Sequence, residues 1–372
     1  MKINNNLQAM VANSVLKMNE SKNSESTERL SSGYKINHAS DSPSGMAISN
    51  KMRAQINSLN KAKDNTSNAV NVVQTADGAL QEVHSMLQRM NELAVKGSNG
   101  TLTDADREAI QDEVSQLSKE IDRVASDTEY NTQNLLGSVQ SMKGYTDNSD
   151  VKVVNYDPDF PVGDYVLSGV DLTSDPPTAS LTNSDGSAVA NLKSFSYIVK
   201  QDAVTGDITG GNITAQLYDG SELTFSVKGT TASNVNVDVT GIGGMKIQVG
   251  TSTGQEVRLV IPSMDTETMG IDGIDMRTQE GAQSSIDAIN SAIEYVSKAR
   301  SNLGAYQNRF ESTLSSLAEN IENLTESYST IKDVDMAEEM VNYTTLQVLV
   351  QAGTSMLSQA NEQPQQALQL LQ

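Results

Sequence analysis

A chain of 372 residues has room for two or three domains at about 150 residues each. Its 26 Lys and Arg against 47 Asp and Glu leave a net charge of −21, which repels nucleic acid and anionic membrane, so neither is expected as a partner. With no Cys, no Trp and only His38 and His84 as histidines, disulfide scaffolds, thiolate metal sites and multi-histidine centres are excluded.

No run of eighteen apolar residues is present, so no segment reads as a membrane-spanning helix. The opening Met1-Lys2-Ile3-Asn4-Asn5-Asn6 leads into no apolar signal region, which suits a cytosolic protein or one exported by a route that removes no signal. Charge and pattern divide the chain in three. Residues 1–140 carry −3, residues 141–270 carry −9 and residues 271–372 carry −9. The middle third holds Phe160, Phe195, Phe225 and most of the glycines, and the outer thirds hold helical periodicity.

In chain order, Ile3, Leu7, Met10, Val11, Val15 and Met18 recur at spacings of three and four and predict a helix with one apolar stripe. A second stripe runs through Ile56 and Leu59, lapses at Lys63 and Thr66, and resumes through Val70, Val73, Leu80, Val83, Leu87, Met90 and Ala94. It stops at Gly97-Ser98-Asn99-Gly100, a turn cluster. Thr103 and Asp106 have the spacing of a capping box, with Asp104 complementing the helix dipole. The helix they open carries Ile110, Val114, Leu117, Ile121 and Val124.

The middle third predicts strands at 151–156, 165–170, 196–200, 213–218, 223–227, 235–239, 245–249 and 257–261. Asp219-Gly220 and the Gly241, Gly243 and Gly244 cluster supply turn signals between them. An antiparallel β insertion is the expectation. Beyond it, Ile286, Ile289, Ile293, Val296, Leu303, Phe310, Leu314, Leu317, Ile321, Leu324, Tyr328 and Ile331 share one seam. Without Pro from 283 to 331, this is a helical rod of roughly 70 Å. The seam continues past Asp333-Val334-Asp335 through Met336, Met340, Leu346, Leu349, Val350, Met356 and Leu357, and Pro364 is expected to limit it.

Helices with one greasy face are marginal in water until that face is covered. The fold class that follows is α+β: an antiparallel coiled coil or helical bundle formed by the N- and C-terminal arms, with an inserted antiparallel β-rich outer domain. The first helix, about 3–30, and the last, about 336–360, pair at one end. They have too little core to stand alone, so they are expected to be disordered in the monomer and to order against copies of themselves. Residues Ile3, Leu7, Val11, Val15, Met340, Leu349, Met356 and Leu357 are the expected self-assembly set. Met10, Met18, Met336, Met340 and Met356 read as adaptable core filler.

Catalytic alternatives are weak. Glu338-Glu339 with Asp333 and Asp335 could pair as carboxylates, but a solvated helix face or helix start explains them and no calcium-loop spacing is present. The Gly241 cluster is followed by no Lys-Ser/Thr, so it is not a phosphate loop. No enzyme activity and no cofactor or metal are expected.

Both helical thirds carry strings that resemble bacterial flagellin. They are Glu28-Arg29-Leu30-Ser31-Ser32-Gly33, Gln74-Thr75-Ala76-Asp77-Gly78-Ala79-Leu80 and Leu87-Gln88-Arg89-Met90-Asn91-Glu92-Leu93-Ala94-Val95 at the N-terminal side. At the C-terminal side they are Leu303-Gly304-Ala305-Tyr306-Gln307-Asn308-Arg309-Phe310, Gln351–Asn361 and Leu370-Leu371. The resemblance does not extend to the middle third.

It implies a structural subunit that polymerises into the flagellar filament for motility, extracellular, and exported unfolded by the flagellar type III apparatus. Residues 1–42 with 333–372 would be the innermost helical pair, 43–140 with 275–332 the long-helix core, and 141–274 the variable surface domain. Implied partners are further copies in a helical homopolymer, an export chaperone on the C-terminal helices, the filament cap and hook-associated proteins, and Toll-like receptor 5. The receptor contact maps onto Arg89, Leu93 and Glu113. The alternative within the same superfamily is a hook–filament junction (hook-associated) protein. No metallopeptidase motif of the kind some flagellins carry is present. The chain departs from the family pattern at Asp41-Ser42-Pro43-Ser44-Gly45, Tyr34-Lys35, Asn91, Lys96 and Gln372.

Overall fold

The computed structural model describes residues 6–137, 143–148, 150–156, 160–172, 177–187, 189, 192–201, 208–218, 221–232 and 234–369. Helices α1 (Leu7–Ser32), α2 (Pro43–Gly97) and α3 (Asp104–Asp127) precede, among the described residues, a run of thirteen strands. These are β1 (Glu129–Tyr130), β2 (Gln133–Asn134), β3 (Lys143–Thr146), β4 (Val151–Tyr156), β5 (Gly163–Asp171), β6 (Thr178–Asn183) and β7 (Leu192–Gln201). They continue with β8 (Ile208–Leu217), β9 (Glu222–Lys228), β10 (Thr231–Ala232), β11 (Val235–Ile242), β12 (Met245–Gln248) and β13 (Glu256–Leu259). The short α4 (Thr266–Met269) and the long α5 (Gln279–Lys332) and α6 (Met336–Gln369) close the chain. Long terminal helices thus flank an inserted antiparallel β region, as the periodicity predicts. The chain forms two compact units, Ala62–Ser315 and Met1–Lys61 with Ser316–Gln372.

Within Ala62–Ser315, α2 and α5 run antiparallel. Arg300 Nε lies 2.8 Å from Asp77 Oδ1, and Asn91 Nδ2 donates to Asn290 Oδ1 at 3.2 Å. The α2 seam is Val73, Ala76, Leu80, Val83, Leu87, Met90 and Ala94, all fully buried, and it meets Ala282, Ile289, Ala292, Val296, Ala299, Leu303 and Phe310 of α5 in one core. The stripe does not lapse at Thr66. Ala62, Thr66 and Ala69 carry it on as small buried residues, and the Thr66 hydroxyl donates to the Ala62 carbonyl at 2.8 Å. A hydroxyl that can bond one turn back inside its own helix is buried without an orphaned donor.

The third helix opens as its sequence predicts. Asp106 N donates to Thr103 Oγ1 at 3.3 Å, and Thr103 N donates to Asp106 Oδ2 at 3.1 Å. Hydrogen bonds from the Thr103 hydroxyl and then its backbone hold the Asp106 carboxyl below the usual aspartate range. Ile110, Val114 and Ile121 enter the helical core. The stripe gains one residue from its N-terminal end. Arg107 is buried and donates to the carbonyls of Gly97, Asn99 and Leu102 at 3.2, 3.0 and 2.9 Å, so one cation fixes the turn after α2. A positive charge against the last carbonyls of a helix is also favoured by its dipole.

The insertion is built from antiparallel pairs. One sheet has the order β4-β9-β8-β7, and another runs β10-β5-β11-β3 with β6 also paired to β5. Strands β1 and β2, and β12 and β13, form two-stranded pairs. Every strand predicted from alternation is present. Strands β1, β2, β3, β6 and β10 lie outside the predicted set; β1, β2 and β10 have two residues each, β3 has four, and Thr178–Asn183 is polar but for Ala179 and Leu181. The β core centres on Tyr156, Phe160, Leu167 and Phe225, with Phe160 and Tyr165 packed edge to face at 5.6 Å. Gly243 and Gly244 both have positive φ between β11 and β12, the conformation a glycine supplies without a Cβ clash. The Asp219-Gly220 turn lies outside the described residues. An ion pair of 2.8 Å joins Lys298 of α5 to Glu222 of β9.

In the other unit α1 and α6 form an antiparallel pair. Gly33 ends α1 in the left-handed conformation (φ 75°), its N–H bonded to Arg29 O at 2.9 Å. Lys35 N then donates to Lys332 O at 2.8 Å and Val334 N to Gly33 O at 3.1 Å, stitching the two connections together. The helix continues beyond Pro364 to Gln369, contrary to the expectation that proline limits it. A proline lacks the N–H that would serve the carbonyl four residues back, which here is Ala360. Asn6 Nδ2 donates to that carbonyl at 2.7 Å, while Asn6 Oδ1 accepts from Ala9 N at 3.1 Å. One amide side chain therefore caps α1 and replaces the bond that Pro364 cannot make.

Candidate interaction surface

The face by which α1 meets α6 is not its apolar stripe. The inward positions are Ala9, Ala12, Leu16, Asn19, Asn23, Ser26 and Leu30, alternately three and four apart. Their counterparts on α6 are Glu339, Tyr343, Leu346, Val350, Gly353, Leu357 and Ala360, with the same alternation. This is a heptad seam of mostly small and polar residues, suited to close approach. At Gly353 an added Cβ would lie 3.1 Å from Leu16 Cδ1. Ser26 and Glu339 are both buried, and Ser26 Oγ donates to Glu339 Oε1 at 2.5 Å. Glu339 is thus a seam residue and not part of a solvated face. Asp335 fits the helix-start reading, because its carboxylate accepts from Ala337 N at 2.9 Å and Glu338 N at 3.3 Å.

Leu16, Leu30, Leu346, Val350 and Leu357 are the large aliphatic residues of that seam, and other large apolar side chains of the two helices point outward. Leu7 is 71 % exposed, and Val11, Val15, Met340, Leu349 and Met356 are between 45 and 59 % exposed. Leu357 is half-buried on the inner side, and Ile3 lies outside the described residues. The five methionines read as core filler are not in a core: Met10, Met18, Met336, Met340 and Met356 are all exposed. The spacing that marks a helix stripe cannot say which of two adjacent stripes faces the partner, and here it is the polar one. Leu7, Val11, Val15, Leu349, Ala352 and Met356 line an open apolar groove of about 690 Å³ between the two helices. A contiguous apolar surface of this kind marks an interaction site. The signal for the true seam was present in the spacing of Ala9, Ala12, Leu16, Asn19, Asn23 and Ser26, hidden by its polarity.

The second predicted site lies in the unit Ala62–Ser315. Arg89 of α2 reaches Glu113 of α3 with two donors, Nε at 3.0 Å and Nη2 at 2.8 Å, and Nη1 reaches Glu92 at 3.0 Å. All three side chains are about half exposed or more. Leu93, by contrast, is 3 % exposed and belongs to the helical core. The structure brings Arg89 and Glu113 together at the surface and sets Leu93 beneath it. Among the described residues there is no group of three His, Cys, Asp or Glu able to hold a metal ion, and no helix long and apolar enough to cross a membrane.

Paired terminal helices with exposed apolar stripes, and a β insertion between long helices in the sequence, define a structural protein with a candidate interaction surface. Residues 3–141 match the bacterial flagellin N-terminal helical region, and residues 286–371 match the bacterial flagellin C-terminal helical region. The chain is 38 % identical over 381 aligned residues to a flagellin of Clostridium tyrobutyricum, covering 98 % of this chain and all of that one. It is 34 % identical to the flagellar filament 41 kDa core protein of Borreliella burgdorferi, covering 99 % of both. Among solved structures it is similar to Bacillus cereus flagellin, at 18 % identity and a TM-score of 0.33, covering 68 % of this chain and 88 % of that one. The chain belongs to the bacterial flagellins, the structural subunits of the flagellar filament.

Proposed function

We propose that this subunit polymerises through the outward stripes of α1 and α6, which sister chains cover in the filament. The observation that carries the reading is the exposure of Leu7, Val11, Val15, Leu349 and Met356 around one groove. Burying a large apolar side chain contributes about 1.5–3 kcal/mol. Association costs on the order of 4–15 kcal/mol in lost freedom, so several of these residues must be covered together. Residues 1–42 with 333–372 then form the inner tube, 43–140 with 275–332 the core around it, and 141–274 the solvent-facing domain. The chain is exported unfolded by the flagellar type III system. An export chaperone holds 333–372 beforehand, and the cap and hook-associated proteins are its neighbours at the filament ends.

Electron microscopy of the purified chain above a critical concentration, with and without short filament seeds, tests this. Long helical filaments are expected. The alternative role as a hook–filament junction protein predicts discrete complexes and no elongation.

Recognition of the monomer by Toll-like receptor 5 belongs to the same reading. Arg89 and Glu113 supply an exposed, pre-oriented charged pair, while Leu93 is buried in the helical core four residues along α2 from Arg89. Arginine in such a setting is a frequent binding hot spot. Arg89→Ala should weaken binding of monomer to the receptor ectodomain by about tenfold or more, the scale of one hot-spot residue. Unchanged affinity in a calorimetric titration removes the receptor assignment.

A further inference from the structure

The methionines divide sharply by position. Met90, Met264 and Met276 are fully buried and Met269 is 3 % exposed, all in the unit Ala62–Ser315. Met10, Met18, Met336, Met340 and Met356 are 47–64 % exposed, and all five stand on α1 and α6. Met46, Met52, Met86 and Met245 are half-buried. The chain has no Cys, so no thiol competes for an oxidant. Among the described residues, the exposed methionine sulfur is therefore concentrated on the two helices that the assembly reading uses, with Met356 in the groove itself.

We propose that these five methionines are an oxidation site that controls whether a free subunit can join the filament. The inference rests on the assembly reading above and adds its regulation. Hydrogen peroxide is the oxidant. The thioether sulfur forms an S–O bond to one peroxide oxygen as the O–O bond breaks. Sulfur loses two electrons to become the sulfoxide, and the other oxygen takes them and a proton and leaves as water. The product is polar and chiral where the stripe needs an apolar, adaptable side chain. Leu7, Val11, Val15 and Leu349, which line the groove with Met356, cannot undergo the reaction, so the methionines alone make the outward faces of α1 and α6 responsive. Incorporated subunits are shielded because the same contacts that hold them cover the sulfur. The modification is reversible by methionine sulfoxide reductases.

The test uses the full-length chain. Monomer and preformed filaments receive the same hydrogen peroxide treatment, and peptide mass mapping follows the gain of about 16 Da per sulfoxide. In monomer the five exposed sites should oxidise well before Met90, Met264 and Met276; in filament they should be protected. Oxidised monomer should show a critical concentration raised by about tenfold or more on seeds, since a 1.4 kcal/mol loss is already tenfold. Sulfoxide reductase treatment should restore elongation. A chain with all five changed to Leu should elongate equally with and without peroxide. If that variant does not assemble, the reductase rescue of the unaltered chain decides alone. Elongation of oxidised monomer at the untreated rate, or failure of the reductase to rescue it, overturns the inference while leaving the assembly reading intact. Failure of untreated chain to elongate seeds overturns both.

Discussion

Asn6 does two jobs with one side chain, accepting from Ala9 N and donating to Ala360 O. The second job exists only because Pro364 supplies no N–H. Losing an N-cap costs about 1 kcal/mol. Leaving a carbonyl without its partner adds about 1–3 kcal/mol. Asn6→Ala should therefore raise the critical concentration for polymerisation markedly in the native background. With Pro364→Ala, residue 364 regains its N–H, and Asn6→Ala should then cost only its capping share. Measuring the critical concentration at all four corners of this cycle checks the coupling. Equal cost in both backgrounds would mean that the Asn6–Ala360 bond carries no weight. Arg107 shows the same economy elsewhere, spending three donors on the last carbonyl of α2 and two carbonyls of the turn that follows it.

At the level of elements, the outcome depends on which stripe a helix turns inward. The periodicity of α2, α3 and α5 located their cores because one face is clearly the greasier, as in Leu80, Val83, Leu87 and Met90. On α1 two stripes compete, and the pairing seam is the one with Ala9, Asn19 and Ser26. Composition alone favours the wrong stripe there, because close approach at Gly353 rewards small residues over large ones. Gly353→Val should force the pair apart, since even a Cβ sits 3.1 Å from Leu16. The expected result is loss of elongation with the melting of Ala62–Ser315 unchanged, read by circular dichroism. Retained elongation would show that α1 and α6 tolerate a wider spacing. The capping box of α3 was legible to the residue because Thr103 and Asp106 act locally. The bond from Asn6 to Ala360 was not, because nothing within a few residues of Asn6 announces a partner 354 positions away.

For the whole molecule, the two compact units divide the work. Ala62–Ser315 contains both continuous hydrophobic cores, one helical and one in the β insertion. Met1–Lys61 with Ser316–Gln372 contains the α1–α6 pair with its apolar stripes outward. The sequence revealed this division through the shift from helical to alternating pattern and back. It could not reveal the pairing of β5 with β6, β10 and β11, which is long-range and set by side-chain packing across strands. The central claim is that the terminal helices are stabilised chiefly by sister chains. Amide hydrogen exchange, followed by mass spectrometry on monomer and on assembled filament, tests it most directly. The account predicts that α1 and α6 exchange quickly in monomer and slowly in filament, while α2 from Ala62 onward, α3 and the first part of α5 are slow in both. Strong protection of α1 and α6 in the monomer would contradict it.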